Sequence, residues 1–143
     1  MEVTAQHLGG SKFDLAARGH HVICDQPLEN GGSDVGMSPP EFLLASLGAC
    51  AAYYATQYLE ARKLPAQDLV VKVSAEKAAH PPRLSSFRIE VSAPALDDNR
   101  NAGLLRAVKA CLIHNTLLGK PGIEVTIHAE ELARVYTRHH PAV

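Results

Sequence analysis

The chain has 143 residues, a formal net charge of −1 and 46% hydrophobic residues, which fits one domain of ordinary size. That charge balance gives no electrostatic basis for binding nucleic acid or an anionic membrane surface. The first residues, MEVTAQHL, carry neither the basic region nor the apolar run of a secretory signal. A cytoplasmic location is therefore the expectation, and three cysteines there read as thiols, metal ligands or redox residues rather than a disulfide framework.

In chain order, the loose alternation over residues 2–8 predicts a strand, and Gly9-Gly10-Ser11 a turn. Residues 13–17 and 20–24 predict two more strands separated by Arg18-Gly19, so the chain opens as an antiparallel meander. Residues 25–37, DQPLENGGSDVGM, predict a loop of a length that is often functional. Ser38 then reads as an N-cap, Pro39 as the first helical residue and Glu41 as the third member of a capping box, which starts a helix running to Glu60. No formal charge occurs from Phe42 through Leu59, and apolar residues cover nearly the whole circumference, which predicts burial on most sides. A membrane span is the rival reading of this uncharged run. Ser46, Thr56, Gln57 and three tyrosines dilute it and no basic cluster flanks its start, so a core or interface helix is the reading adopted.

Residues 69–76 and 86–91 alternate as strands, with Val71 and Val73, then Phe87, Ile89 and Val91, turned inward. A second helix is expected from Asn99 to about Leu118, stopped by Gly119-Lys120-Pro121-Gly122, and residues 123–129 alternate as a last strand. The order β-β-β-α-β-β-α-β is that of an α+β fold, with helices grouped against a largely antiparallel sheet. His139 and His140 read as solvated residues of a fraying tail.

Each helix carries a central cysteine. Gly48, Ala49, Ala51 and Ala52 clear space around Cys50, and in the second helix Leu104, Val108, Cys111 and Leu112 fall on or near one face. A reversible disulfide is sterically allowed if the two Cα atoms come within roughly 6 Å. Equally, a free cysteine behaves as a small buried hydrophobe, and a reactive one needs electropositive, partly exposed surroundings, so both readings stay open. Cys24, at a strand end beside Asp25, reads as incidental. The C-x-x-H spacing of Cys111 and His114, and the nearness in sequence of His20, His21 and Cys24, admit a metal site. They lack the two paired ligand spacings of zinc centres, and no metal is assigned. His114 reads more simply as a polar residue near a helix end. Phe42, Leu43, Leu47 and the tyrosines predict an apolar groove at Cys50.

The segments SPPEFLLASLGAC at residues 38–50 and ACLIHN at residues 110–115, with their spacing and the strand order, resemble the osmotically inducible protein C and organic hydroperoxide resistance family, OsmC/Ohr. The likeness spans almost all of residues 1–143 as one domain and leans to the OsmC-like branch. It implies an intertwined homodimer with a largely antiparallel sheet around two central helices at the subunit interface. It further implies a thiol peroxidase in which Cys50 reduces an organic hydroperoxide, becomes a sulfenic acid and closes a disulfide with Cys111. A dithiol or lipoylated protein would restore the thiols, with no cofactor, metal, nucleic acid or membrane involved. The hydroperoxide resistance branch has an Arg in a G-G-R turn that lowers the thiol's pKa; here the turn reads Gly9-Gly10-Ser11-Lys12, which leaves Lys12 or Arg18 as substitutes. The family Glu sits ten positions before the first cysteine, where this chain has Pro40, with Glu41 one place later, and Leu112 replaces the usual Pro after Cys111. Glu41 fits a capping role better, being roughly 13 Å along the helix from Cys50 and on the opposite face. The alternative of a different class is a non-catalytic dimeric binding protein that takes an apolar small molecule in the same interface groove.

Overall fold

The computed structural model describes residues 1–93 and 96–128. Strands β1 (Thr4–Gly9), β2 (Lys12–Ala17) and β3 (His20–Cys24) form the antiparallel meander in the order β1-β2-β3. At the second turn Arg18 and Gly19 take φ of 51° and 81°, the double positive-φ geometry that joins a tight hairpin.

The loop that follows is built around Asp25, the one buried polar or charged side chain among the described residues. Its carboxylate accepts from Ser11 Oγ at 2.6 Å and from the backbone N–H groups of Gln26, Ser33 and Val35 at 2.8, 2.9 and 3.3 Å. The Ser11 bond, helped by those of Ser33, Gln26 and Val35 and opposed by burial, brings the carboxyl down to about 2. The loop folds back tightly enough that a Cβ at Gly32 would overlap the Gln26 carbonyl, and one at Gly36 that of Ile23. It ends where Asp25 N–H donates to the Met37 carbonyl at 3.2 Å, one residue before the N-cap of the long helix.

Helix α1 (Pro39–Glu60) begins where the cap signals place it. The backbone N–H and Oγ of Ser38 both donate to Glu41 Oε2 at 2.7 Å. These two bonds, the backbone one first, hold the Glu41 carboxyl below its usual range, with help from the Lys77 charge. Burial departs from the expectation. Only Leu47, Ala51, Ala55 and Leu59 are buried, a single stripe four residues apart, while Leu43 and Tyr53 are exposed. Among the described residues one hairpin and two shorter helices pack on this helix, and they cover only that stripe.

Strands β4 (Val70–Ala78) and β5 (Arg83–Ser92) make a second antiparallel sheet against one side of α1. Their register slips between Ser74 and Glu76, opposite Ser86 at φ 52°, and this bulge brings Leu84 to the same side as Phe87, Ile89 and Val91. Helix α2 (Asp98–Lys109) is capped by Asp97, whose carboxylate accepts from the Arg100 N–H at 2.8 Å. It lies so close to α1 that a Cβ on Gly103 would overlap the Tyr58 phenol. Ala51, Ala55 and Leu59 of α1 meet Leu104 and Val108 of α2 in the core, with Val71, Ile89 and Val91 beneath.

Two expected elements are corrected. The helix expected from Asn99 to Leu118 is broken: α2 ends at Lys109, and Cys111, at φ −56° and ψ 133°, caps a separate α3 (Leu112–Leu118). The break turns Leu112 outward to 59% exposure, away from the face it was expected to share with Leu104 and Val108. The strand expected at 123–129 pairs with nothing among the described residues, and Ile123, Val125 and Ile127 are 81 to 88% exposed; Ala129, His139 and His140 lie outside the described residues.

Asp25 yields a signed expectation. Its folded pKa lies below the ordinary carboxylate value of about 4, so its stabilisation is full above that value and is lost as pH falls toward about 2. Asp25→Asn, which leaves one oxygen to serve four donors, is expected to lower Tm by several degrees at pH 7, and the gap to the wild type closes as the solution is acidified. Thermal melts of both proteins across that range check it; a gap that does not narrow contradicts the charged-acceptor account.

Candidate active site

Helix α1 presents Cys50 one turn beyond Leu47, next to the buried Ala51, and leaves its side chain half-buried. The packing there depends on small residues: a Cβ on Gly48 would already sit 3.2 Å from Val73 of β4. Cys111 arrives from the other side, on the break between α2 and α3, and is fully buried. That break is held by hydrogen bonds on both flanks. Cys111 N–H donates to Val108 O at 3.2 Å, Asn115 N–H to Cys111 O at 3.0 Å, and Asn115 Nδ2 to Ala110 O at 3.4 Å.

The two thiols are neighbours. Burial pushes the Cys111 thiol up, and a hydrogen bond to Cys50 and repulsion from its charge push the same way. The N–H groups of His114 and Ile113 pull down on it, without closing a full side-chain cap on α3. The net direction is upward, so at neutral pH Cys111 is a protonated thiol beside Cys50. Cys24 is also buried, and its thiol is likewise raised, by burial and then by the Asp25 charge; it pairs through its backbone with Met37, away from the other two.

The remaining candidates stand elsewhere in the chain. Glu41 is occupied by its cap at the start of α1. Lys12 opens β2 opposite Gly9, and Arg18 occupies the β2–β3 turn beside Glu2 and Thr4. The meander packs essentially on itself rather than on α1, and neither cation is among the groups that act on Cys111. Within one chain the structure therefore joins Cys50 with Cys111 and leaves Glu41, Lys12 and Arg18 apart from them. Among the described residues no group of three or more His, Cys, Asp or Glu side chains is placed to share a metal ion.

A cavity of about 940 Å³ opens beside the thiol pair between α1, β5, α2 and α3. Leu43, Leu47, Phe87 and Leu104 make it apolar, and its ionisable groups are Arg83, Lys109 and His114, with no carboxylate. The apolar groove was expected from Phe42, Leu43, Leu47 and the tyrosines; Leu43 and Leu47 contribute, while Phe42, the tyrosines and both cysteines are off the wall. The wall nonetheless flanks each thiol, through Leu47 three residues before Cys50 and through Val108 and His114 three residues either side of Cys111. Reading the sequence alone missed the part His114 plays in this wall and the anchoring by Asp25. An Asp at a strand end followed by a glycine-rich loop was the available signal for the second.

The exposure difference sets an order of reactivity. Brief treatment of the native protein with iodoacetamide is expected to label Cys50 well before Cys24 or Cys111, as peptide mass spectrometry will show. First labelling of Cys111 would contradict this geometry.

No curated protein matches the chain in sequence. Solved structures share its fold at low identity. A Psychrobacter arcticus protein named for osmotic stress induction and a detoxification response superposes with a TM-score of 0.73 at 19% identity, over 90% of this chain and 88% of that one. An OsmC-like protein of Mycoplasma pneumoniae gives 0.70 at 21%, over 83% and 87%. An organic hydroperoxide resistance protein OsmC of Legionella pneumophila gives 0.57 at 18%, over 82% and 89%. The family model described as OsmC-like protein matches residues 31–128, from the loop after Asp25 through α1, both cysteines and α3, and by that match the chain belongs to the OsmC-like protein family.

Proposed function

We propose that this protein is a thiol-dependent peroxidase that reduces organic hydroperoxides in defence against oxidative stress. The observation that supports this reading is the contact between a half-buried Cys50 and a fully buried, protonated Cys111. The Cys50 thiolate attacks the terminal oxygen of the hydroperoxide, the O–O bond breaks, and the organic fragment leaves as the alcohol once it gains a proton. Cys50 is then a sulfenic acid. The Cys111 sulfur attacks it, water departs and a Cys50–Cys111 disulfide closes, which protects Cys50 from further oxidation. An external dithiol or a lipoylated protein returns both to thiols.

The working unit in this proposal is a homodimer. Exposed Leu43 and Tyr53 on α1 and exposed Ile123, Val125 and Ile127 are apolar surface that a second copy would cover. In that assembly Lys12 or Arg18 of the other copy serves as the cation at Cys50. No helix among the described residues is long and apolar enough to cross a membrane; a cytoplasmic site of action remains part of the proposal.

One equivalent of cumene hydroperoxide is expected to consume two of the three thiols, Cys50→Ser to consume none, and Cys111→Ser to stop at a sulfenic acid trapped by dimedone. Thiol counts unchanged in excess peroxide would eliminate the peroxidase. One observation favours a second reading, a binding protein for an apolar molecule: the cavity wall contains neither cysteine. That reading predicts stoichiometric uptake of an apolar fluorophore that survives Cys50→Ser in a protein inert to peroxide.

A further inference from the structure

Resting on the peroxidase reading, one step still lacks a residue. When the O–O bond breaks, an alkoxide is a poor leaving group unless it is protonated as it departs. The donor must stand where the organic half of the peroxide lies, and the apolar cavity beside the thiols is the space for that half.

Three ionisable side chains line this cavity: Arg83 from β5, Lys109 from α2 and His114 from α3. From α1 the wall receives only Leu43 and Leu47. The Arg83 guanidinium does not give up its proton near neutrality, and its Nη1 is already committed to the carbonyls of His80 and Pro81 at 3.2 and 3.1 Å. Lys109 is an exposed ammonium at the last residue of α2. His114 differs from both. It is half-buried, its backbone N–H faces the Cys111 sulfur, and an imidazole is the one side chain among the three that exchanges a proton readily near pH 7.

We infer that His114 is the general acid of the reaction, its imidazolium giving a proton to the leaving alkoxide while the Cys50 thiolate takes the terminal OH. The balance is complete. The S–O bond forms with the thiolate's electron pair, the O–O bond breaks toward the alkoxide oxygen, and the proton from His114 converts that oxygen to the alcohol. Solvent then returns the proton to the ring.

The test compares two oxidants that differ in their need for that proton. tert-Butyl hydroperoxide releases an alkoxide; peracetic acid releases a carboxylate, which departs unprotonated. With the full-length protein and a dithiol reductant, His114→Gln is expected to slow turnover of tert-butyl hydroperoxide about a hundredfold. It leaves the peracetic acid rate within about threefold of the wild type. His114→Ala supplies a second arm, in which added imidazole restores the hydroperoxide rate without changing that of the peracid. A wild type inert to both oxidants overturns the peroxidase reading and this proposal with it. Equal slowing of both oxidants, or no slowing of either, in an active protein overturns this proposal alone.

Discussion

The structure depends on how closely α1 can be approached. Along its buried stripe Ala51 and Ala55 present almost no side chain, and across from it Gly103 lets the α2 backbone rest on Tyr58. On the sheet side Gly48 does the same against Val73. Larger residues at these positions would hold the elements apart, and the α2–α3 junction could not bring the Cys111 sulfur to Cys50. Leu59, Leu104 and Val108 then supply the apolar bulk that keeps the layers together. Thiol adjacency is thus a consequence of backbone proximity, which small residues permit and larger ones enforce at the margins.

The junction itself explains why one helix became two. GLLRAVKACLIHNTLL contains no breaker after Gly103, and its periodicity reads as continuous. Intrinsic propensity is a weak constraint over so few residues, and tertiary context overrides it. Here the override has identifiable parts: Cys111 leaves helical geometry to reach the core, and Asn115 closes the gap by bonding the Cys111 and Ala110 carbonyls. Both cysteines were legible as inward-facing residues. That Cys111 stands on a break, with Leu112 turned to solvent, was not, because it depends on what α1 demands from across the interface.

Features governed by local chemistry could be read from the chain. The Ser38, Pro39, Glu41 signature placed the start of α1 to the residue, and Arg18-Gly19 placed a hairpin turn. Non-local features could not. Asp25 gave only the hint of an Asp before a glycine-rich loop, yet its carboxylate gathers donors from Ser11 to Val35 and so joins the first hairpin turn to the approach to α1. The alternation at 123–129 is a true apolar pattern, but a ladder needs a partner edge, and the described part of this chain provides none for it. The charge-free circumference of α1 falls in the same class: it specifies that the surface be covered and says nothing of which chain covers it.

The electrostatics of the thiol pair follow from the same asymmetry of position. Cys111, sealed in the core, is penalised for ionising both by burial and by its neighbour, whereas Cys50 keeps part of its surface outside that core. Two thiols in contact resist bearing charge together, because their repulsion is poorly screened where water is excluded. A pair arranged in this way separates into an outer sulfur open to reagents and an inner one held as the acid. The depth difference between the half-buried residue of α1 and the fully buried one at the head of α3 therefore sets which sulfur an outside reagent meets first.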